Sequence, residues 1–169
     1  KDQGSSGKFA VTGNHETYAG LDRSRQFLRD AGFAVLDDQV WNGQGITIAG
    51  TPYLHEQACG QEAEFLNGLD SKGFVILLKH SPRVCPDSTE LIDLQLSGHT
   101  HKGQIFPFGL VVRAFYTHVA GQYPLYNQAT LYVSRGTGTW GPQVRFLAAP
   151  ELTVFTLSAS SDRTASSTP

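Results

Sequence analysis

Residues 96–108 read LSGHTHKGQIFPF, and this stretch decides the fold. His99 and His101 stand one residue apart, directly after the short strand pattern Leu94-Gln95-Leu96-Ser97-Gly98. At the mouth of a strand, a His-x-His pair can turn two imidazoles toward one point once the chain leaves regular pleating. Gly98 and Gly103 give the backbone freedom to bend on either side. Neutral imidazole is a common ligand for zinc, iron and manganese-type centres. By itself the pair reads equally well as a polar loop carrying two solvated histidines.

Two other segments repeat the pattern. Lys8 to Thr12 is a short strand pattern that runs into Gly13-Asn14-His15-Glu16. Phe74 to Leu78 is a continuous apolar run, as a strand covered on both faces would be, and it leads through Lys79 to His80. Three strands therefore end in a histidine or an Asn-His pair. Sites in open α/β sheets form at the carboxyl ends of strands, so three such ends point to a metal centre.

With GNHE at Gly13–Glu16, the lone His80 and GHTH at Gly98–His101 in this order, the chain resembles the calcineurin-like metallophosphoesterases. The runs SGHTHKGQIFPF and, at Val133–Phe146, VSRGTGTWGPQVRF are similar to the bacterial membrane-associated branch, which includes enzymes similar to UDP-diacylglucosamine hydrolases. The resemblance extends to about Leu157. It implies an α/β (α+β) fold, an αββα sandwich of two mixed β-sheets flanked by helices. It also implies hydrolysis of a phosphodiester, phosphomonoester or pyrophosphate by a water activated between two divalent metals, whether manganese, iron or zinc. On the family's pattern Asn14, His80 and His99 would ligate one metal and His101 the other. His15 would act as general acid or stabilise the leaving oxygen, and Glu16 would orient a histidine. Lys102 stands where this branch usually has Gly; with Arg135 it would meet a substrate phosphate, and it reads equally well as a solvated lysine. Arg145 flanks the same Gly-rich segment, and Trp140 would be an apolar wall. Such a site suits a lipid- or nucleotide-linked phosphoester. His55 and His118 match no motif and read as surface or groove residues.

The family's two opening motifs, Asp-x-His and Gly-Asp-x-x-Asp, do not occur in the twelve residues before Gly13. The sequence reads as the carboxyl-terminal part of a family domain, its amino-terminal βα units missing. Asp93 begins the strand that ends at His99 and should lie roughly 20 Å from it, at about 3.3 Å per residue. Asp37 and Asp38 follow another strand into a turn, where solvent-facing aspartate is common. On the family's pattern those motifs would supply a carboxylate bridging the two metals, and no local replacement for it emerges. Two classes of function follow: a metallophosphoesterase whose remaining ligands lie elsewhere, or an inactive metal-binding or interaction module. The chain alone is expected to bind metal weakly and to self-associate through unpaired strand edges.

The remainder is ordinary for a soluble domain. The chain has 169 residues, 40% of them hydrophobic, and a net charge of −2. That length can enclose a core. Nothing basic enough favours nucleic acid, and no apolar stretch approaches the roughly 20 residues of a membrane helix. Membrane association of the complete bacterial protein is expected only through an upstream segment, which would also carry any signal peptide. Cys59 and Cys85 lack metal-type spacing and read as free thiols that say little about compartment. Residues 1–7 read as a flexible lead-in, 8–157 as the domain and 158–169 as a disordered tail. Helices are expected over Leu21–Ala31 and Ala58–Leu69, the second weakened by Gly60. Strands are expected at Phe33–Leu36 and Gly45–Ala49, joined by an Asn42-Gly43 turn, and at Leu91–Ser97. After Phe106 the pattern reads as all-β, with strands at Val111–Tyr116, Thr130–Ser134 and Leu152–Leu157.

Overall fold

The computed structural model describes residues 7–53, 59–69 and 73–158. The first six residues, His55 and the tail from residue 159 lie outside the described residues. In chain order the elements are β1 (Phe9–Ala10), α1 (Asn14–Ala19), α2 (Leu21–Asp30), β2 (Ala34–Val35), β3 (Gln39–Gly43) and β4 (Ile46–Thr51). There follow α3 (Cys59–Asn67), β5 (Phe74–Lys79), β6 (Leu94–Ser97), α4 (Phe108–Phe115), β7 (Gly121–Pro124) and β8 (Thr130–Val133).

Six strands form one mixed sheet in the order β3-β4-β5-β6-β8-β7. The inner four are parallel, and β3 and β7 run antiparallel to their neighbours. β1 and β2 make a second, two-stranded parallel sheet. Mixed sheets flanked by helices are the α/β architecture the sequence implies. The two sheets meet at Gly50, where an added Cβ would fall 2.2 Å from the Leu36 carbonyl oxygen and 2.7 Å from Val11 Cγ1. Only glycine permits that approach. Beyond it, the Tyr53 amide donates to the Thr12 carbonyl at 3.2 Å, tying the end of β4 to the end of β1.

The core lies between the large sheet and α3. Ala49, Val75 and Leu77 from the strands pack with Leu66 of α3, with Ile92 and with Ala129. Central strands of a parallel sheet are covered on both faces, which is why β5 reads FVILL without alternation. Its last residue, Lys79, is nonetheless buried and pairs with Glu62 of α3 at 2.5 Å. Buried ion pairs of this kind fix geometry more than they add stability. Beside it, Cys59 and Cys85 are joined by a disulfide with Cα atoms 5.2 Å apart, which corrects the free-thiol reading. Sequence spacing alone could not show that α3 begins against the loop after β5.

Three further expectations need correction. Asn42 and Gly43 close β3, and the hairpin turn falls at Gln44-Gly45, both at positive φ, as a two-residue turn between twisted strands requires. Residues 111–116 are not a strand; Phe108–Phe115 is helical. Gly109 lies so close to Gly103 that a Cβ on Gly103 would meet its Cα at 2.3 Å, so the helix starts packed on the preceding turn. Local β preference, which is context-dependent, does not decide residues 111 and 112. Residues 152–157 run without ladder partners among the described residues, Leu152 and Val154 largely exposed.

Asp37 is also not solvent-facing. Its side chain is 6% exposed; it accepts from the Thr12 amide (3.0 Å), the Thr12 hydroxyl (2.9 Å) and Arg25 Nε (2.8 Å). It thereby fixes the exit of β1, just before Asn14. Asp37→Ala strands the buried Thr12 N–H and leaves Arg25 only its longer, exposed ion pair with Asp22 at 3.9 Å, and should cost about 2 kcal/mol. Urea denaturation followed by circular dichroism checks this; an unchanged midpoint would refute the role.

Candidate metal centre

The ends of β1, β4, β5 and β6 come together at one edge of the fold. From β1 the chain turns at Gly13 into α1, and the Glu16 carboxylate accepts the Gly13 N–H at 2.8 Å. Glu16 therefore steadies the turn that presents Asn14, and its contact is with backbone, not with an imidazole as the sequence reading had it. A Cβ on Gly13 would lie 2.6 Å from the His80 ring, so glycine is what lets this turn lean on the histidine. His80 follows β5. On β6 the chain continues to Gly98, whose amide donates to the His80 carbonyl at 2.9 Å, and then reverses at His99. The bend is made by His99 itself, at φ 69°, and continues through His101, Lys102 and Gly103, all at positive φ.

Three donor atoms converge as a result. His80 Nε2 lies 2.8 Å from Asn14 Oδ1 and 2.8 Å from His99 Nδ1. Two ligands at right angles around one ion, each bonded at about 2.05 Å, are about 2.9 Å apart. Both distances from His80 are compatible with ligands to a single divalent metal, and the donors, two imidazole nitrogens and an amide oxygen, suit manganese, iron or zinc. Among the described residues no three His, Cys, Asp or Glu side chains form such a group; the third donor here is the asparagine amide.

The trio opens onto a cleft of about 260 Å³, lined also by His15, His101, Val112, Tyr116 and Trp140. His15 is exposed at the start of α1, its ring edge-on to Tyr18. His101 Nδ1 is 3.1 Å from Arg145 Nη2. Burial lowers the His80 pKa from 6.5 to about 4, with repulsion from His99, His101 and His15 adding to it. Burial and then His101 lower His99; burial and then the Arg145 guanidinium lower His101, against a backbone hydrogen bond to Gly138. All three are therefore neutral at pH 7, the form in which imidazole binds metal.

Of the residues singled out from the sequence, Asn14, His15, His80, His99, His101 and Trp140 share this cleft. Lys102 and Arg135 do not line it. Lys102 opens onto a neighbouring groove, because the left-handed turn swings it past the edge. Arg135 is drawn away by Glu151, to which its Nε donates at 2.5 Å. Arg145 is the arginine that reaches a site histidine. Two tyrosines escaped the sequence reading. Tyr116 OH lies 2.6 Å from His99 Nε2; if His99 donates there, its Nδ1 lone pair is left facing His80. Tyr53, beyond β4, packs its ring edge-on to His80 and stacks on His99. The spacing Gly109-Val112-Tyr116, one face of a helix, was the missed signal for Tyr116.

The chain is 40% identical over 158 residues to an uncharacterized metallophosphoesterase of Aquifex aeolicus (strain VF5), an alignment covering 89% of this chain and 60% of that protein. It is 37% identical over 155 residues to an uncharacterized metallophosphoesterase of Helicobacter pylori (strain J99), covering 86% and 41%. It is 30% identical over 164 residues to a Danio rerio protein named transmembrane protein with metallophosphoesterase domain, covering 87% and 38%. The chain spans about half the length of the curated relatives it matches. No family model and no solved structure matches it.

The half-buried, neutral His80 carries a pH signature. Unfolded, His80 takes up a proton near 6.5; folded, only near about 4. Between these values the unfolded state binds more protons, so acid favours unfolding. Stability should hold above pH 6.5 and fall as the pH approaches 4, by up to about 3 kcal/mol from this group. Chelator-treated protein unfolded in urea across this range checks it. His80→Gln should flatten the slope, and an equally steep slope in that variant would refute the assignment.

Proposed function

We propose that this chain is part of a metallophosphoesterase and carries a histidine-rich share of its metal site. The observation that carries the reading is the convergence of Asn14 Oδ1, His80 Nε2 and His99 Nδ1 at the ends of three strands. The names of the relatives support the same class. Asn14, His80 and His99 would hold one divalent metal and His101 would contribute to a second. Metals bound there would supply a strong nucleophile at neutral pH and a counter to charge building on phosphate.

The chain's own residues do the rest. Tyr116 and Tyr53 hold the His99 and His80 rings in place. His15, exposed on the cleft wall and outside the ligand trio, would donate a proton to the leaving oxygen. Val112 and Trp140 give the cleft an apolar side that suits a lipid- or nucleoside-linked phosphoester, in keeping with the UDP-diacylglucosamine hydrolase-like branch. The whole protein would act at a membrane, as the names of the Danio rerio and Bos taurus relatives suggest. Among the described residues no helix is long and apolar enough to cross one.

A second reading rests on a specific observation: among the described residues no carboxylate lines the cleft. By itself the chain would then be a metal-binding module without turnover. Manganese-dependent hydrolysis of bis(p-nitrophenyl) phosphate separates the two. The whole protein should turn over, His99→Ala or His80→Ala should abolish it, and the 169-residue chain alone should be inactive. Near-normal turnover by either variant at saturating metal would sink the ligand assignment.

If His15 donates to the leaving group without binding metal, His15→Asn in the whole protein should slow hydrolysis by about 10²–10⁴-fold at unchanged metal content. The loss should be smallest for activated leaving groups. Parallel loss of metal, measured by atomic emission, would reassign His15 as a ligand.

A further inference from the structure

α4 buries none of its eight residues, although its sequence FGLVVRAF is apolar apart from Arg113. Phe108, Leu110, Val111 and Phe115 are 59%, 61%, 54% and 76% exposed. Only one side of the helix has a task in the site: Val112, with Tyr116 just beyond, lines the metal cleft, and Gly109 closes against Gly103. Alongside runs a second groove of about 180 Å³, walled by Phe106, Leu110, Phe146 and Leu147 and carrying Lys102 and Arg113. Neither cation pairs with a carboxylate among the described residues.

We infer that α4 and this groove form a contact surface for an anionic phospholipid bilayer. Phe106, Phe108, Leu110, Val111 and Phe115 would enter the interface, and Lys102 and Arg113 would meet lipid phosphates. An apolar protein partner leaves two cations inside the contact unanswered, and a free anion leaves the aromatic and aliphatic side chains exposed. An anionic lipid surface answers both features, as for other basic, apolar interfacial helices. Because Val112 and Tyr116 face the cleft from the same helix, docking sets the metal site at the level of the headgroups. That consequence rests on the lipid-linked substrate proposed above; the docking itself needs no metal.

The test floats the 169-residue chain, with chelator present, on phosphatidylcholine vesicles with and without phosphatidylglycerol. Chelation keeps the result independent of the hydrolysis assays, so either proposal can fail alone. The chain should float with the anionic vesicles and several-fold less with the neutral ones. Leu110→Asp combined with Phe115→Asp should lower binding about tenfold or more. Lys102→Glu and Arg113→Glu, at exposed positions away from the core, should each lower it about fivefold, and Arg113→Lys should restore it. Equal binding to both vesicle types, or unchanged binding by the two charge variants, would overturn the proposal. So would a chain that ignores vesicles but forms dimers, by light scattering, that the Leu110 and Phe115 changes dissociate; the surface would then belong to a second copy.

Discussion

The site depends on the parallel register of β5 and β6. Leu78 lies opposite Leu96, so two residues later His80 faces Gly98, and His99 arrives three residues beyond the last ladder position. Regular pleating would carry His99 onward, away from His80. The positive φ of His99 folds it back, and Nδ1 then lands beside His80 Nε2. A non-glycine residue in this conformation costs roughly 1–2 kcal/mol, and three of the next five residues after His99 repeat it.

Such a turn persists only when its surroundings over-determine it, and here they do. The Thr100 hydroxyl donates to the Val119 carbonyl at 2.6 Å. Gln104, almost fully buried, donates to the carbonyls of Trp140 and Pro142 and accepts the Trp140 N–H. Arg145 gathers the carbonyls of Arg135, Gly136 and Ala148 on the other side. The turn and the Trp140 segment hold each other, so the histidines and the apolar wall of the cleft are set by one network.

Much of this was legible in the sequence. A run such as Phe74–Leu78 ending at His80, or Leu94–Ser97 ending at His99, records both a strand and what it delivers, because burial and chemistry sit in adjacent residues. The features that were missed are set by contacts and backbone geometry that no motif records. Val111 and Val112 favour a strand locally, yet they lie in a helix whose first turn closes against Gly103. Asp37 looks like a turn residue until Arg25 and Thr12 close on it. Tyr53 and Tyr116 carry no motif; they matter through the rings they touch. Lys102 was expected in the cleft, but backbone handedness, which composition does not encode, turned it into the next groove.

The disulfide between Cys59 and Cys85 spans a sequence separation of 26 residues, a loop that includes α3, all of β5 and His80. In the chain-entropy view, closing a loop of that size stabilises the folded state by about 3.5 kcal/mol, because the unfolded chain is denied so many arrangements. The gain falls on the segment that must bring one imidazole into register with another. Thiol reductants would therefore loosen the strand that carries a ligand while leaving every ligand chemically intact. If the proposed centre binds metal, redox buffer becomes a variable of its affinity, and protein prepared in reducing medium would differ from oxidised protein in how firmly it held an ion.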